Sequence, residues 1–190
     1  MIDVIVGPMY SGKTTRMIKK IEKNKSIGKN QVTIQWKCDN REGNTQNHIG
    51  VKIPPPIIKA NKLCEIENLS SYDLICIDDA HFFADLPQFV EHNKNLNLYI
   101  CGLNEDYLQQ KFTNVTDLYG CANVYIKLQG ICELCKGKSS HTIRKETKFK
   151  ERILPGNSDI YIPVCEYHAI QHQKILQNNQ SAFIAQISEP

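Results

Sequence analysis

Apolar positions in this chain fall in short runs broken by glycine, proline or acid, and the spacing within each run predicts an element. The run from Ile2 to Val6 is rich in β-branched residues and stops at Gly7-Pro8, the pattern of a strand buried on both faces of a parallel sheet. Lys13 to Ile27 is polar, with apolar residues at Met17, Ile18 and Ile21, and Gly28 stands where a helix would be capped. Val32 to Trp36 alternates and predicts a second strand. From Cys38 to about Ile58 no period is visible and three prolines follow one another at 54 to 56, so a mobile loop is expected. Leu74 to Ile77 predicts a strand that runs into Asp78 and Asp79. Pro87 to Asn95 predicts a crossover helix, Leu98 to Cys101 a buried strand ending at Gly102, and Val124 to Leu128 a last strand. Strands alternating with helices give an α/β fold, a mostly parallel sheet with helices on both faces, whose ligands gather beyond the carboxyl ends of the strands.

From Gln129 the pattern changes to cysteine pairs and Lys-rich polar segments, which sets a boundary. The expected division is an α/β nucleotide-binding domain at 1–128, a small metal-binding domain at 129–175, and a Gln- and Asn-rich tail at 176–190 with little order.

Composition narrows the possibilities. With 190 residues, 41% hydrophobic and 23% charged, the chain has enough apolar surface for a core and is neither disordered nor fibrous. A formal net charge of +3 is too weak by itself to argue for a nucleic-acid surface. No apolar run is long enough to span a bilayer, and the opening residues lack a basic n-region and cleavage site, so a cytoplasmic protein without membrane contact is expected. In a reducing compartment eight cysteines predict free thiols or metal ligands. Cys38, Cys64, Cys76, Cys101 and Cys121 are scattered singly and are expected to be small buried hydrophobes. His48, His92 and His141 have no evident partner and are expected on the surface.

Gly7, Pro8, Met9, Tyr10, Ser11, Gly12, Lys13 and Thr14 match G-x-x-x-x-G-K-[ST], placed between a predicted strand and a predicted helix. In this P-loop, backbone N–H groups turn inward on phosphate oxygens, the helix N-terminus adds partial positive charge, Lys13 reaches the outer phosphates and Thr14 offers a hydroxyl to Mg²⁺. Such a loop needs a carboxylate at a neighbouring strand end. Asp78 fits that role, and Asp79, one residue further, is placed to accept the proton of an attacking hydroxyl. A solvated pair of acids is the alternative.

Cys132 and Cys135 form a C-x2-C pair, and Cys165 with His168 a C-x2-H pair. Three thiolates and an imidazole satisfy a closed tetrahedral Zn²⁺ site, structural rather than catalytic, that cross-links a segment too small to have its own core. His172, four residues on, is a rival fourth ligand, and a redox C-x-x-C the competing reading.

Together these features resemble the type II, zinc-containing thymidine kinases, the cytosolic and viral class, over almost the whole chain. GPMYSGKTT is similar to that family's GPM[FY]SGK[ST], CIDDAHFF at 76 to 83 to its strand ending in D-E-x-Q-F-F, and GLNEDYLQQKF at 102 to 112 to its GLD-x-x-F-x-x-x-PF segment. The resemblance implies transfer of the γ-phosphate of ATP to the 5'-hydroxyl of thymidine by a homotetramer that binds no nucleic acid. It implies that Gly7 to Thr14 hold the ATP phosphates, that Asp78 organises Mg²⁺, that Asp79 is the catalytic base, and that Asp39 and Arg41 match a D-x-R near the transferring phosphoryl group. His81 falls on the nucleotide side. Tyr107 falls on the aromatic that stacks on the base, with Phe112 nearby, and Arg152, Ile153, Leu154, Pro155 and Gly156, with Tyr161, resemble a lasso over the nucleoside. Where the family has glutamate, Asp79 is one methylene shorter. His81 replaces a glutamine, Asn104 an aspartate and Lys111 a proline, so a working but slower kinase is expected.

Two other readings stay open: a nucleotide-binding relative with lost turnover, and a nucleic-acid-dependent ATPase with a zinc ribbon. The second draws on the basic cluster of Lys136, Lys138, Arg144, Lys145, Lys148, Lys150 and Arg152.

Overall fold

The computed structural model describes residues 1–39, 50–145, 151, 152, 154, 156 and 158–187, with side chains to residue 178. Six parallel strands form one sheet: β1 (Ile2–Val6), β2 (Gln31–Trp36), β3 (Ile57–Ala60), β4 (Leu74–Ile77), β5 (Leu98–Gly102) and β6 (Val124–Lys127). Their order is β3-β2-β4-β5-β1-β6. Every connection is therefore a crossover, and all six carboxyl ends lie along one edge.

The two faces of the sheet are covered by different elements, and strand alternation decides which side chain meets which. On one face Ile2, Val4, Val6, Val32, Ile34, Ile75, Ile77, Leu98 and Ile100 pack with Phe83, with α2 (Leu86–His92) through Leu86, Phe89 and Val90, and with α3 (Thr113–Thr116) through Val115. On the other face Ile5, Leu74, Cys76, Tyr99 and Cys101 meet Met17, Ile18 and Ile21 of α1 (Lys13–Ser26). Both β1 and β5 are buried along their whole length, which is why they read as nearly unbroken apolar runs. β2 alternates because its second face is polar: Gln31, Thr33 and Gln35 are buried there beyond α1. Instead, the chain around Ile53 and Pro55 covers it, and the Gln31 side chain donates to the Pro55 carbonyl at 3.0 Å.

After β6 the architecture changes. Two small antiparallel pairs follow, β7 (Gly130–Ile131) with β8 (Lys138–Ser139) and β9 (His141–Arg144) with β10 (Tyr161–Val164), and then α4 (Glu166–Ile187).

Four expectations are corrected. Ile57–Ala60, inside the stretch expected to be a loop, is edge strand β3, paired in parallel with Thr33–Trp36. Its four residues follow the prolines directly and leave no period to detect. Residues 176–187 of the expected tail are helical backbone, the distal part of α4. Of the five single cysteines only Cys76 and Cys101 are buried, while Cys38, Cys64 and Cys121 sit in exposed turns outside the strands. His141 lies inside, 8% exposed, because β9 is buried along its length, whereas His92 is exposed as expected; His48 lies outside the described residues. Among the described residues no helix is long and apolar enough to cross a membrane.

Phe83 is fully buried under the sheet. Truncating it, Phe83→Ala, removes about 3–5 kcal/mol of stability by opening a cavity. Denaturant unfolding checks this as a lowered midpoint with unchanged slope.

Candidate active site and metal cluster

β1 delivers the chain to the strand-end edge, and the turn that follows admits almost no side chain. At Gly7 φ is +152°, and a Cβ there would stand 2.6 Å from the Leu128 carbonyl oxygen. Gly12, at φ +87°, caps the N-terminus of α1, and Tyr10 also takes a left-handed conformation. The first turn of α1 carries no acidic residue, so the positive end of its dipole is uncompensated from within. Lys13 is buried, and its ammonium donates to the carbonyls of Gly7 at 3.0 Å and Pro8 at 2.7 Å, lying across the loop. The buried Ser11 hydroxyl has no hydrogen-bond partner among the described residues. Inward-turned backbone, one buried cation and an unsatisfied hydroxyl together suit an oxyanion.

Asp78 follows β4 and is buried beside this loop, where the Thr14 hydroxyl donates to its Oδ1 at 3.3 Å. A hydroxyl next to a carboxylate at the rim of a phosphate loop is an oxygen donor set that fits Mg²⁺. Asp79 is half-buried at φ +48°, a left-handed position that acidic residues tolerate better than most. Asp39 is buried just beyond β2. Arg41, Ile153 and Pro155 lie outside the described residues.

Beyond β5 the chain forms a closed loop at 103–112. Glu105 pairs with Lys111 across it, and the buried Asp106 carboxylate accepts the N–H groups of Leu108 and Gln110, both at 2.9 Å. Tyr107 is half-buried on this loop. Phe112, at its end, is buried against the His81 ring at 5.0 Å, and His81 Nδ1 accepts the Leu103 N–H at 3.4 Å. His81 thus stands beside the aromatic expected to meet the nucleoside.

Residues of the second subdomain grip this loop and the phosphate turn. The Met9 N–H donates to the Thr142 hydroxyl at 2.9 Å, and the Arg144 guanidinium lies 3.9 Å over the Tyr107 ring. Arg152 Nε donates to Asp106 Oδ2 at 2.6 Å. Arg144 is 1% exposed, the largest fully buried side chain, and one of its nitrogens donates to the Glu151 carbonyl and to the Tyr161 hydroxyl. The Tyr161 hydroxyl donates in turn to the Leu154 carbonyl at 2.9 Å, so the described lasso residues are braced from below. Gly156 is packed on Ile160, whose Cδ1 would be 2.7 Å from an added Cβ. Reading Arg144 as a member of a solvated or nucleic-acid-binding basic face is therefore corrected, while Arg152 stays half-exposed. One is buried and the other is paired with a buried carboxylate. The signal that could have found Arg144 is its place at the end of the short strand pattern His141-Thr142-Ile143-Arg144.

Cys132, Cys135, Cys165 and His168 converge, with their ligand atoms all within 4.8 Å of one another. Cys135 Sγ lies 3.8 Å from Cys165 Sγ, and His168 Nδ1 lies 3.5 and 3.2 Å from Cys132 and Cys165 Sγ. A tetrahedron with metal–sulfur arms of about 2.3 Å has edges of about 3.8 Å, so these atoms suit zinc. Burial alone would raise the Cys132 thiol, but backbone N–H groups of Cys135, Cys165 and Leu134 outweigh it and bring it down to about 6, favouring the thiolate that binds metal. His172 stands outside this cluster: its Nε2 is 3.1 Å from the Arg144 carbonyl. The competing redox reading has no support in a set completed by a histidine.

His141 was missed as a partnered residue. Its Nδ1 meets Glu105 and its Nε2 meets Glu166, so the two carboxylates favour a proton on each ring nitrogen and with it the charged imidazolium. The Glu105 hydrogen bond is the main cause of a raised His141 pKa; burial opposes it and Glu166 adds to it.

The thymidine kinase family model matches residues 1–169. A thymidine kinase of Oryza sativa subsp. japonica is similar at 33% identity over 186 residues, 93% of this chain and 68% of that protein. Thymidine kinases of two entomopoxviruses are similar over 86% of this chain: that of Choristoneura fumiferana entomopoxvirus at 37% identity, with 93% of its own length covered, and that of Amsacta moorei entomopoxvirus at 38%, with 94% covered.

The thiolate cluster predicts that a strong zinc chelator releases about one zinc per chain and melts the second subdomain while the parallel sheet persists. Metal analysis with hydrogen exchange reads both effects. For His141 the folded pKa lies above the unfolded value near 6.5, so its stabilisation is fully present below 6.5 and fades as pH rises through the folded pKa. Unfolding midpoints of the parent and His141→Gln should differ most below pH 6.5 and converge as pH rises past the folded pKa.

Proposed function

The chain belongs to the thymidine kinase family and phosphorylates thymidine, and from that premise we propose that it moves the γ-phosphate of ATP to the 5'-hydroxyl. The observation that carries the donor side is the phosphate loop of Gly7 to Thr14, with Lys13 buried across it and Thr14 against Asp78. Phosphoryl transfer needs little beyond positioning and neutralisation of charge. In this reading the loop amides and Ser11 hold the phosphate oxygens, and Lys13 exchanges its carbonyl partners for the β- and γ-phosphates. Asp78 and Thr14 would hold Mg²⁺, which when bound neutralises charge on the phosphate oxygens. Asp39 and Arg41 attend the transferring group.

On the acceptor side, Tyr107 stacks on the base, with Phe112 and His81 closing the wall beside it. Arg152 and the lasso residues 153 to 156, supported by Tyr161, cover the nucleoside. Asp79 accepts the proton released as O5' bonds to the γ-phosphorus and the bond to the ADP leaving oxygen breaks. The zinc cluster holds the second subdomain together and does not enter the chemistry. The further proposal of a homotetramer rests on the family alone. Within the basic cluster Arg144, Lys145 and Arg152 are engaged within the fold, which lowers the support for a nucleic-acid-dependent reading.

A panel of deoxynucleosides, each incubated with ATP and Mg²⁺ and scored for monophosphate, should give product with thymidine. Replacing the base, Asp79→Ala, should lower kcat by about a hundredfold or more with thymidine KM little changed. An unchanged kcat removes Asp79 from that role, and product from none of the nucleosides refutes the reading.

A further inference from the structure

Among the described residues, side chains of the second subdomain hold the loop at 103–112 at several points, and the contact made by His141 has no place in the chemistry described so far. Arg144 lies over Tyr107, Arg152 pairs with Asp106, and the Gln173 side chain donates to the Leu108 carbonyl at 3.1 Å. His141 makes a further contact, with Glu105 on one side and Glu166 on the other. We propose that His141 is a positioning residue for thymidine binding, which clamps Glu105 and so holds the loop bearing Tyr107 in its binding conformation.

The argument is one of screening and of leverage. The Arg152 side chain is 47% exposed and Glu166 is 67% exposed, so water weakens both contacts. His141 and Glu105 are only 10% and 13% exposed, so compared with Arg152 and Asp106 theirs is the pair shielded from solvent on both sides. Glu105 lies two residues before Tyr107, at the neck where the loop closes on Lys111, so fixing it fixes the direction in which the loop leaves the sheet. His141 itself is rigid: β9 pairs it with Val164, and Ser140 donates to the same Val164 carbonyl at 3.1 Å. Glu166 steadies the ring from the far side and aims Nδ1 at Glu105. Without the clamp the loop samples positions in which Tyr107 is not presented. The apparent affinity for the nucleoside then falls by the fraction of chains still competent. Once thymidine is bound the loop is in place, so turnover proceeds at its former rate.

This inference rests on the reading in which thymidine packs on Tyr107, and the test separates the two. Steady-state kinetics are measured for Glu105→Gln, His141→Gln, the double variant and Tyr107→Ala, each with zinc content determined. Glu105→Gln keeps the shape and an acceptor, so folding is preserved even if His141→Gln is poorly soluble. The expected result is a rise in thymidine KM of about tenfold in each single clamp variant, with kcat and ATP KM within about twofold of the parent and zinc unchanged. The double variant should be no worse than either single one, since both remove the same contact. A thymidine KM that stays at the parent value in Glu105→Gln, while Tyr107→Ala raises it, overturns the clamp and leaves the thymidine reading standing. Parallel losses of kcat, both KM values and zinc would show a purely structural role and also overturn it. No change in Tyr107→Ala overturns the underlying reading.

Discussion

The approach of the Leu128 carbonyl to Gly7 is the constraint from which the site follows. β1 lies between β5 and β6, hydrogen-bonded in parallel to both, so its end is fixed from two sides. The chain leaving Val6 has to turn under the end of β6, where a Cβ at Gly7 would stand 2.6 Å from carbonyl oxygen. Only glycine passes. The turn then feeds α1, whose Met17, Ile18 and Ile21 are anchored on the face carrying Ile5. An anion-binding turn is thus suspended between a buried strand and a buried helix face, and its backbone donors are preorganised without any side chain to aim them.

The same sheet brings Asp78 to this turn from β4, although β5 lies between β4 and β1. Gly102 ends β5 without a side chain, and a Cβ there would stand 3.3 Å from Val115 and 3.4 Å from the His81 backbone nitrogen. The acceptor half is built differently. It hangs on a loop and a small subdomain whose apolar core, among the described residues, is Cys132, Ile143, Val164 and Ala169 with a few partly buried neighbours. So small a core needs a metal as cross-link and polar contacts as braces, which is why Arg144 is buried at the centre of this half.

Sequence pattern resolved the two halves unequally. β1, β4 and the phosphate loop were legible to the residue, because a strand buried on both faces, a glycine turn and an amphipathic helix each leave a local signature. The Cys132, Cys135, Cys165 and His168 cluster was legible as spacing. Edge strand β3 was not, since four residues behind a run of prolines carry no period. The distal part of α4 was missed because its Gln and Asn residues give no apolar stripe to read. Arg144 and His141 were misread for one shared reason: a charged residue in a polar segment defaults to the surface unless its partners are known. Theirs are distant in sequence, with Glu105 36 residues before His141.

Buried charge in so small a subdomain is better understood as specification than as stability. Pairing a charge inside a protein roughly offsets its desolvation, whereas leaving one unpaired is strongly unfavourable. Arg144 therefore has essentially one acceptable environment, with the Glu151 carbonyl, the Tyr161 hydroxyl and the Tyr107 ring together. Arg152 needs Asp106, and His141 needs Glu105. An apolar interface of equal area would allow the subdomain to slide over the loop at little cost, because dispersion is not directional. Three charged groups seated on three neighbouring residues, Glu105, Asp106 and Tyr107, leave it a single register. That register holds the Tyr107 ring against the Arg144 guanidinium and ties its loop to β9, the strand whose Thr142 accepts the Met9 N–H of the glycine turn.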